Sequence, residues 1–380
     1  MSIPVYDAAE LRRAVCFTHL IEPLRVAFGE FSHGRAQQVM AALWPARLPE
    51  DGNVLIKAGC ITGHDIFVVK AAPWFRSNHA AGRPQGGLVT AFDASTGYPV
   101  AIFADEHYLS DIRTAAAGAL VADILAPPGA TTAGVLGTGV QAYWQARALA
   151  HVRPLRRLQI WGRHRGQAAG LAERLAADLP RVRTETVASA EHAVRENEVL
   201  ITATAATEPL VAAAWLHPGQ HITAVGADDP GKCELKPRAF GRADLIAVDS
   251  REAAADNGST RRALQAGALA PSDLTEIGEI GAYQRDPGAI TIACLVGIGV
   301  QDVVAAETAL AAIGAGVMDP VTPAQEPGFT PGSAPAGSSR PVPLGRPGYG
   351  RADQPYGLCW IERTRRQPCC LPAAADSSNR

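Results

Sequence analysis

Two glycines in the segment Gly137-Thr138-Gly139-Val140-Gln141-Ala142 have the spacing of a dinucleotide-binding turn. The first glycine permits a tight turn, and the second lets the backbone approach a pyrophosphate. A strand-like run precedes the segment, and a helix-like run with free N–H groups at its start follows it. The pattern predicts a nicotinamide dinucleotide site. The alternative is a turn that only packs.

The residues after the next strand-like run would contact the ribose of the dinucleotide. NAD sites usually place an acidic side chain there, whereas this chain has Trp161-Gly162-Arg163-His164-Arg165. A guanidinium group can hold the additional 2′-phosphate of NADP. We therefore predict an NAD(P) site with NADP slightly preferred. The alternative is a solvated basic turn.

A second glycine-containing segment, Gly226-Ala227-Asp228-Asp229-Pro230-Gly231-Lys232-Cys233, has nearly the spacing of a phosphate-binding P-loop. Three features argue against that function. Cys233 stands where a serine or threonine would hold magnesium. Asp228 and Asp229 put negative charge where phosphate would bind, and a dinucleotide site is already predicted upstream.

The same segment follows the strand-like run HITAVGA, which we expect to be parallel to its neighbours. Ligands of parallel sheets bind at the carboxyl ends of the strands, so Asp228 and Lys232 would lie beside the nicotinamide. A carboxylate there can move a substrate proton while a hydride passes to or from the ring. The alternative is a turn or helix-capping aspartate.

Three cations precede the glycine turn: Lys57, Lys70 and Arg113. Lys70 closes the apolar run FVVK, and Arg113 stands at the start of an alanine-rich, helix-like run. Both could hold a carboxylate, unless they are solvated side chains. From the residues alone we predict a two-domain nicotinamide-dependent enzyme for a small anionic substrate.

Helical and strand-like sequence patterns predict the elements that position these residues. Helical patterns cover Leu11 to Phe28, where Pro23 predicts a kink or a new helix start, and Ser110 to Leu125. From Thr132 onward strand-like and helix-like runs alternate, which predicts a parallel sheet with crossover helices. Before that point, short β-rich runs separated by turn signals predict an antiparallel meander: VLIKAGCI, DIFVVKAA, GLVTAFD and YPVAIFAD.

The composition is that of a globular protein, with 47% hydrophobic and 19% charged residues among 380. A net charge of -2 gives no reason to expect nucleic acid or an anionic membrane as a partner. We find no apolar run that could span a membrane, no signal peptide, and no disulfide or zinc spacing among the seven cysteines. We expect a cytoplasmic enzyme without a metal, with a flexible Pro/Gly-rich tail over 319–380.

In these residues the chain resembles the ornithine cyclodeaminase/mu-crystallin family. The resemblance implies an α/β fold in which a Rossmann NAD(P)-binding domain (116–299) is inserted in a smaller α+β domain (1–115 plus 300–318). The smaller domain would bind substrate and join the sheets of a homodimer. The segments that carry the resemblance occur in the family's order over residues 1 to 318: FVVK, DEHYLSDIRTAAAGALVADILAP, VLGTGVQA, ITATAATEPLV, HITAVGADDPGKCEL and VGIGVQDVVAAETAL.

The resemblance also implies roles for single residues. Lys70 and Arg113 would hold the substrate carboxylate, with Lys57 and Val296 in the same site. Asp228 would be the catalytic acid, and Lys70 is the second catalytic candidate. The cofactor contacts would be Thr114, Gly137, Gly139, Val140, Gln141, Arg163, Thr204, Val225, Gly226, Ala227 and Lys232.

The implied activity is hydride transfer at the α carbon of a small amino acid. In cyclodeamination of ornithine or a related amino acid, NAD⁺ takes the hydride, the side-chain amine attacks the resulting imine, ammonia leaves, and the hydride returns. Other members reduce ketimines or other imino acids, or act as alanine-type amino-acid dehydrogenases. A mu-crystallin-like binder of NADP and a small ligand, without catalysis, is the alternative from another class.

Two positions depart from the cyclodeaminase pattern. Lys57 stands near the place of a glutamate that holds the distal amine of ornithine, and Cys294 and Leu295 replace expected polar residues. A cation at position 57 would repel an amine and suits a carboxylate better. Lys57 therefore favours the reductase or dehydrogenase, while the usual name of the family favours the cyclodeaminase.

Overall fold

The computed structural model describes residues 2–45, 52–81, 83 and 85–315, which form two β-sheets and the helices packed on them. The tail predicted over 319–380 lies outside the described residues. Within the part of the chain that the structure describes, no helix is both long and apolar enough to cross a bilayer.

The first sheet is mainly antiparallel. Its strands are β1 (Val5–Asp7), β2 (Ala36–Leu43), β3 (Gly52–Ile61), β4 (Ile66–Phe75), β5 (Leu88–Asp93) and β6 (Pro99–Ala104). They lie in the order β1-β6-β5-β4-β3-β2, and the pairing of β1 with β6 is parallel. The predicted four-strand meander is confirmed as β3 to β6.

Strands β1 and β2 were not predicted. The sequence of β2, AQQVMAAL, contains alanine, glutamine and methionine, which favour helices. It forms a strand because it pairs with β3 along its whole length, from Ala36 opposite Ile61 to Leu43 opposite Val54. With three residues, β1 is too short to show a strand period.

The register of the first sheet separates two faces. Lys57 of β3 lies directly opposite Lys70 of β4, and both side chains are buried. Alternate residues point to the other side of the sheet. Large apolar side chains remain exposed there, and we call this the outer face: Val39 (63% exposed), Leu43 (56%), Val69 (36%) and Leu88 (41%).

The helical pattern predicted from Leu11 to Phe28 is two helices, α1 (Ala8–Ala14) and α2 (Ile21–Ser32), with a 3-10 turn between them. Pro23 lies in the first turn of α2, where its missing N–H breaks no helical bond. The predicted new helix start is therefore confirmed. Two further helices follow, α3 (Arg76–Ala80) and α4 (Tyr108–Leu125), and α4 begins two residues before the predicted position.

The second sheet contains eight strands, all parallel: β7 (Thr132–Leu136), β8 (Arg157–Trp161), β9 (Arg183–Thr186), β10 (Val199–Thr202), β11 (His221–Ala224), β12 (Leu245–Val248), β13 (Leu274–Glu276) and β14 (Thr291–Cys294). Their order is β13-β12-β14-β11-β10-β7-β8-β9. The helices between them are α5 (Val140–Val152), α6 (Arg165–Asp178), α7 (Ala190–Arg195), α8 (Pro237–Phe240), α9 (Arg251–Asp256) and α10 (Gly258–Gln265). The predicted α/β fold is confirmed, although β9, β13 and β14 were not predicted.

The last described helix, α11 (Gly299–Gly314), follows β14 and returns to the first sheet. It packs on β3 so closely that a Cβ at Gly299 would lie 2.2 Å from the carbonyl oxygen of Ala58. Helix α4 contacts α2, α11 and α5. The domain boundary predicted at 115/116 falls inside α4, and the division into domains stays a prediction.

Candidate active site

Lys70 and Arg113 lie side by side around one buried carboxylate, that of Asp302 in α11. Lys70 Nζ donates to Asp302 Oδ1 at 2.7 Å and to Ser110 Oγ at 2.8 Å. Arg113 Nε lies 3.2 Å from the same Oδ1, and Arg113 Nη1 donates to Gln301 Oε1. All five side chains are buried. The structure therefore brings together the two cations predicted to hold a carboxylate.

Three elements position this group: β4 carries Lys70, α4 carries Arg113, and the first turn of α11 carries Asp302. Gly297 precedes α11 with a φ of +85°, and a Cβ at this residue would lie 2.5 Å from Arg113 Nη1. A glycine is needed here because the backbone is left-handed and the guanidinium packs directly against it.

Lys57 lies next to this group and binds the peptide that follows β14. Its Nζ donates to the carbonyl oxygens of Val296 at 3.2 Å and Gly297 at 2.6 Å. Asp249, directly after β12, accepts from the Gly297 N–H at 2.6 Å and holds the same segment. Lys57 and Val296, both predicted for the substrate site, are thus joined to each other. We call Lys57, Lys70 and Arg113 the cation cluster.

Burial, and after it the charge of Arg113, lowers the pKa of both lysines, with a net result of about 7 for Lys70 and about 8 for Lys57. The charge of Asp302 acts to raise the pKa of both lysines. Burial acts to raise the pKa of Asp302 itself, but Lys70 and Arg113 hold it below its usual value. At neutral pH the cluster is cationic around one ionised carboxylate, and its two lysines release their protons not far from neutrality.

Asp228 lies in the loop after β11, at the carboxyl edge of the parallel sheet, as predicted. Its Oδ1 accepts from Lys232 Nζ at 2.5 Å, and Lys232 Nζ also lies 3.2 Å from Asp229 Oδ2. The side chain of Asp228 is 34% exposed. Burial acts to raise its pKa, but Lys232 and then Lys57 hold it below the usual value. Because Lys57 contributes, Asp228 and the cation cluster belong to one electrostatic site.

The predicted glycine turn connects β7 to α5. Gly137 has a φ of +132°, and a Cβ there would lie 2.3 Å from the carbonyl oxygen of Ala203. Gly139 is the N-cap of α5, and among the described residues no side chain caps this helix end. Val140, the next residue, is 58% exposed. An accessible helix N-terminus beside a glycine turn fits the pyrophosphate of a dinucleotide.

Two other predicted cofactor residues lie where α4 meets α5. Gln141 Nε2 donates to Asp111 Oδ1 at 2.9 Å, and Gln145 Nε2 donates to the carbonyl oxygen of Thr114 at 2.8 Å. These bonds join the helix that carries Arg113 to the helix that begins at the glycine turn. The Gln141 amide is therefore engaged with α4.

Four more predicted cofactor residues follow two adjacent strands, Thr204 after β10 and Val225, Gly226 and Ala227 after β11. Buried Glu234 joins the two loops. Its Oε1 accepts from the Thr204 N–H at 2.6 Å, and its Oε2 accepts from the Gly226 N–H at 2.9 Å. The loop after β11 leads into an extended segment that contains Glu234, whereas a P-loop leads into a helix. The structure therefore agrees with the argument against a P-loop.

Arg163 is exposed two residues beyond the end of β8, where the ribose was predicted to bind. Within the described residues no ion pair engages it. Arg165 is the first residue of α6 and is also exposed. The structure therefore leaves these guanidinium groups accessible from solvent.

Five polar residues that position the predicted ones were not predicted from the sequence: Ser110, Glu234, Asp249, Gln301 and Asp302. A signal was present for three of them. Asp302 stands in the apolar helix start VGIGVQDVV, and Asp249 ends the apolar strand-like run DLIAVD. Both are buried, and a buried charge requires a partner. The glutamate of GKCEL stands in the same kind of apolar context.

The chain is similar to known proteins over nearly all of the residues that the structure describes. The model of the ornithine cyclodeaminase/mu-crystallin family matches residues 4–315. An uncharacterized cyclodeaminase of Sinorhizobium fredii is 38% identical over 266 residues, which cover 66% of this chain and 77% of that protein. The ketimine reductase mu-crystallin of Mus musculus is 31% identical over 299 residues, which cover 76% of this chain and 90% of that protein.

A solved structure agrees with the fold over most of the chain. It is an archaeal alanine dehydrogenase dimer with bound NAD, which is 27% identical to this chain with a TM-score of 0.75. The superposition covers 84% of this chain and 98% of that one.

Proposed function

Because this chain belongs to the ornithine cyclodeaminase/mu-crystallin family, we propose that it is an NAD(P)-dependent enzyme that transfers a hydride at the α carbon of a small amino or imino acid. One observation carries the proposal. Lys70 and Arg113 form a buried cationic site that is linked electrostatically, through Lys57, to the ionised Asp228 at the carboxyl edge of the parallel sheet. An α-amino or α-imino acid presents a carboxylate and a basic nitrogen, which suit these opposite charges.

The roles of the side chains follow from their charges and positions. Lys70 and Arg113 would hold the substrate carboxylate and so orient the α carbon. Asp228, ionised and partly exposed, would hold the substrate nitrogen and accept or return its proton. Lys70, whose pKa is about 7, is the second candidate for proton transfer. Bound NAD(P) would supply or accept the hydride.

The residues present fit such a cofactor. Gly137, Gly139 and the N-terminus of α5 would bind the pyrophosphate, while the loops after β10 and β11 would hold the nicotinamide end. Exposed Arg163 supports a slight preference for NADP through its 2′-phosphate. The variant Arg163→Ala should raise the KM for the NADP form by about tenfold and leave that for the NAD form within about twofold. An equal effect on both forms would exclude this role.

Lys57 favours a substrate without a second amine. A cyclodeaminase must bind a diamino acid, and the buried ammonium of Lys57 would repel the distal amine. We therefore favour reduction of an imino or keto acid without a side-chain amine, or the reverse oxidation. Cyclodeamination is the second candidate because the Sinorhizobium fredii relative carries that name.

One assay separates the candidates. Purified protein is given a panel of L-amino acids with a trace of oxidised cofactor, and ammonia and the absorbance of reduced cofactor are followed together. Reduced cofactor without excess ammonia is the result expected for a dehydrogenase or for an imino-acid reductase running in reverse. Ammonia far in excess of the cofactor would establish cyclodeamination, and binding without any turnover would favour the non-catalytic binder.

The variant Lys57→Glu tests the interpretation of that position. It should raise cyclodeaminase activity on a diamino acid, because a carboxylate would now attract the distal amine. Lys57→Gln is the matched control, since it removes the positive charge without adding a negative one. If neither variant raises this activity while both remain folded by circular dichroism, Lys57 does not select against diamino acids.

We also propose that the chain forms a homodimer through the outer face of the first sheet. A contiguous apolar face on a sheet is costly to leave in water. The alanine dehydrogenase structure similar to this chain is described as a dimer.

A further inference from the structure

Glu234 is a buried carboxylate with no role in the proposed chemistry. Its side chain is fully buried, and burial raises its pKa while its hydrogen bonds act to lower it. Its backbone is fixed on two sides: the Val211 N–H donates to its carbonyl oxygen at 2.9 Å, and its own N–H donates to Ser259 Oγ at 2.9 Å. The backbone of Glu234 is therefore held in place, and so is the Cα from which its side chain extends.

Four donors surround the two carboxylate oxygens. Oε1 accepts from Thr204 N at 2.6 Å and Thr204 Oγ1 at 2.8 Å. Oε2 accepts from Thr202 Oγ1 at 2.8 Å and Gly226 N at 2.9 Å. None of these partners is charged, so the arrangement is a carboxylate held by neutral dipoles. A single side chain thus binds the ends of two adjacent strands, β10 and β11.

The two loops that Glu234 joins are also in direct contact. A Cβ at Gly226 would lie 2.3 Å from the carbonyl oxygen of Thr204 and 2.4 Å from Glu234 Oε1. The first loop contains Thr204, a predicted cofactor contact, and the second leads within two residues to Asp228. A change in the length or hydrogen bonding of Glu234 would therefore alter the distance between the cofactor loop and the acid.

We propose that Glu234 is a positioning residue for hydride transfer, which fixes the loop of Thr204 against the loop of Asp228. This proposal rests on the proposed function. It assigns Glu234 no contact with substrate or cofactor, and its effect passes through the two loops.

The test compares Glu234→Gln with Glu198→Gln in the full-length protein. Glu198 is a matched control, because its Oε2 accepts four bonds from the N–H and hydroxyl groups of Thr131 and Thr132 at the opposite, amino edge of the same sheet. In Glu234→Gln the amide nitrogen must face a backbone N–H donor, because both carboxylate oxygens accept one. In Glu198→Gln the amide oxygen can keep all four bonds, so this variant controls for the loss of a carboxylate charge in the same sheet. Only the variant at position 234 disturbs the proposed active site.

Four quantities are measured: the Kd of the reduced cofactor by fluorescence, the kcat, the substrate KM, and the kinetic isotope effect with cofactor deuterated at the transferring position. Glu234→Gln should lower kcat by about 10- to 100-fold, since a displacement of about 1 Å can cost that much. Its substrate KM should stay within about twofold, because the cation cluster is untouched. Its isotope effect should rise as hydride transfer becomes more rate-limiting, whereas Glu198→Gln should change none of these by more than about twofold.

Equal kcat losses in both variants, or an unchanged isotope effect in Glu234→Gln, would overturn the proposal. If Glu234→Gln does not fold, the same measurements are made on Glu234→Asp. This variant keeps the charge, but its side chain is one methylene too short to reach both loops. Failure of wild-type protein to bind cofactor or turn over any substrate would instead contradict the proposed function.

Discussion

At the scale of single residues, Asp228 separates an enzyme from a binding protein. Its carboxylate pairs with Lys232 and remains partly exposed, so it is ionised and accessible at the edge of the sheet. A protein that only binds NADP and a ligand has no need of a proton-transfer group. A substitution of Asp228 therefore distinguishes an enzyme from a protein that only binds its ligands.

The variant Asp228→Asn should lower kcat by at least about 10²-fold, within the usual range for an acid/base group. Cofactor affinity should remain within about threefold, since the amide keeps the shape of the side chain and Lys232 remains. Steady-state kinetics and cofactor fluorescence measure the two effects. Unchanged turnover would remove Asp228 from the mechanism.

The cation cluster predicts a pH dependence. Lys70 has its pKa lowered to about 7 and Lys57 to about 8, so both lose their protons as the pH rises through this range. Only the ammonium forms attract a carboxylate, so kcat/KM should fall on the alkaline side, with apparent pKa values that belong to the coupled group. The fall lies on the alkaline side of neutrality because burial lowers the pKa of the two lysines, which lose their positive charge as the pH rises.

The variant Asp302→Asn should move this alkaline fall to lower pH, because Asp302 raises the pKa of Lys70. Glu307→Gln is the control: it lies on the same helix but pairs with His64 instead of the cation cluster. Profiles of kcat/KM against pH check the prediction. An unchanged profile in Asp302→Asn would show that the fall has another origin.

At the scale of secondary-structure elements, α11 sets the position of the cation cluster. Its first turn supplies Gln301 and Asp302, and Gly299 lets it lie against β3. A Cβ at Gly299 would collide with the Ala58 backbone, which cannot move without breaking the β3 pairing. The helix would have to shift instead, and its polar side chains would move with it.

Gly299→Ala should therefore lower the free energy of unfolding by about 1–3 kcal/mol, the usual cost of overpacking, and should also raise the substrate KM. Gly314→Ala, at the other end of α11, should be neutral or slightly stabilising, because nothing lies within 4 Å of a Cβ there. Chemical denaturation and steady-state kinetics measure both effects. Equal behaviour of the two variants would contradict this role of Gly299.

The elements differ in how far local sequence determines them. The glycine turn, α4 and the strands β7, β10 and β11 could be predicted because their patterns are local. Strand β2 could not, since its helix-favouring sequence becomes a strand only through pairing with β3. Likewise Lys70, Arg113 and Asp228 could be proposed from type and position, whereas Glu234 and Asp302 acquire their roles from partners distant in sequence.

At the scale of the whole molecule, the outer face of the first sheet predicts self-association. Leu43→Glu should dissociate the dimer or weaken it strongly, because it would bury a charge without a partner. Val26→Glu, on the exposed side of α2, is the control for a charge placed at an apolar side chain of similar exposure. Sedimentation equilibrium gives the masses. A wild-type monomer, or a dimer that Leu43→Glu leaves intact, would contradict an interface at this face.

The proposed reaction is direct hydride transfer between the α carbon of the substrate and the nicotinamide cofactor. It is tested most directly with the best amino acid from the assay panel, deuterated at the α carbon, in a single turnover with oxidised cofactor. We predict that mass spectrometry finds the deuterium in the reduced cofactor. Release of the deuterium to solvent, or product formation without labelled cofactor, would contradict the account.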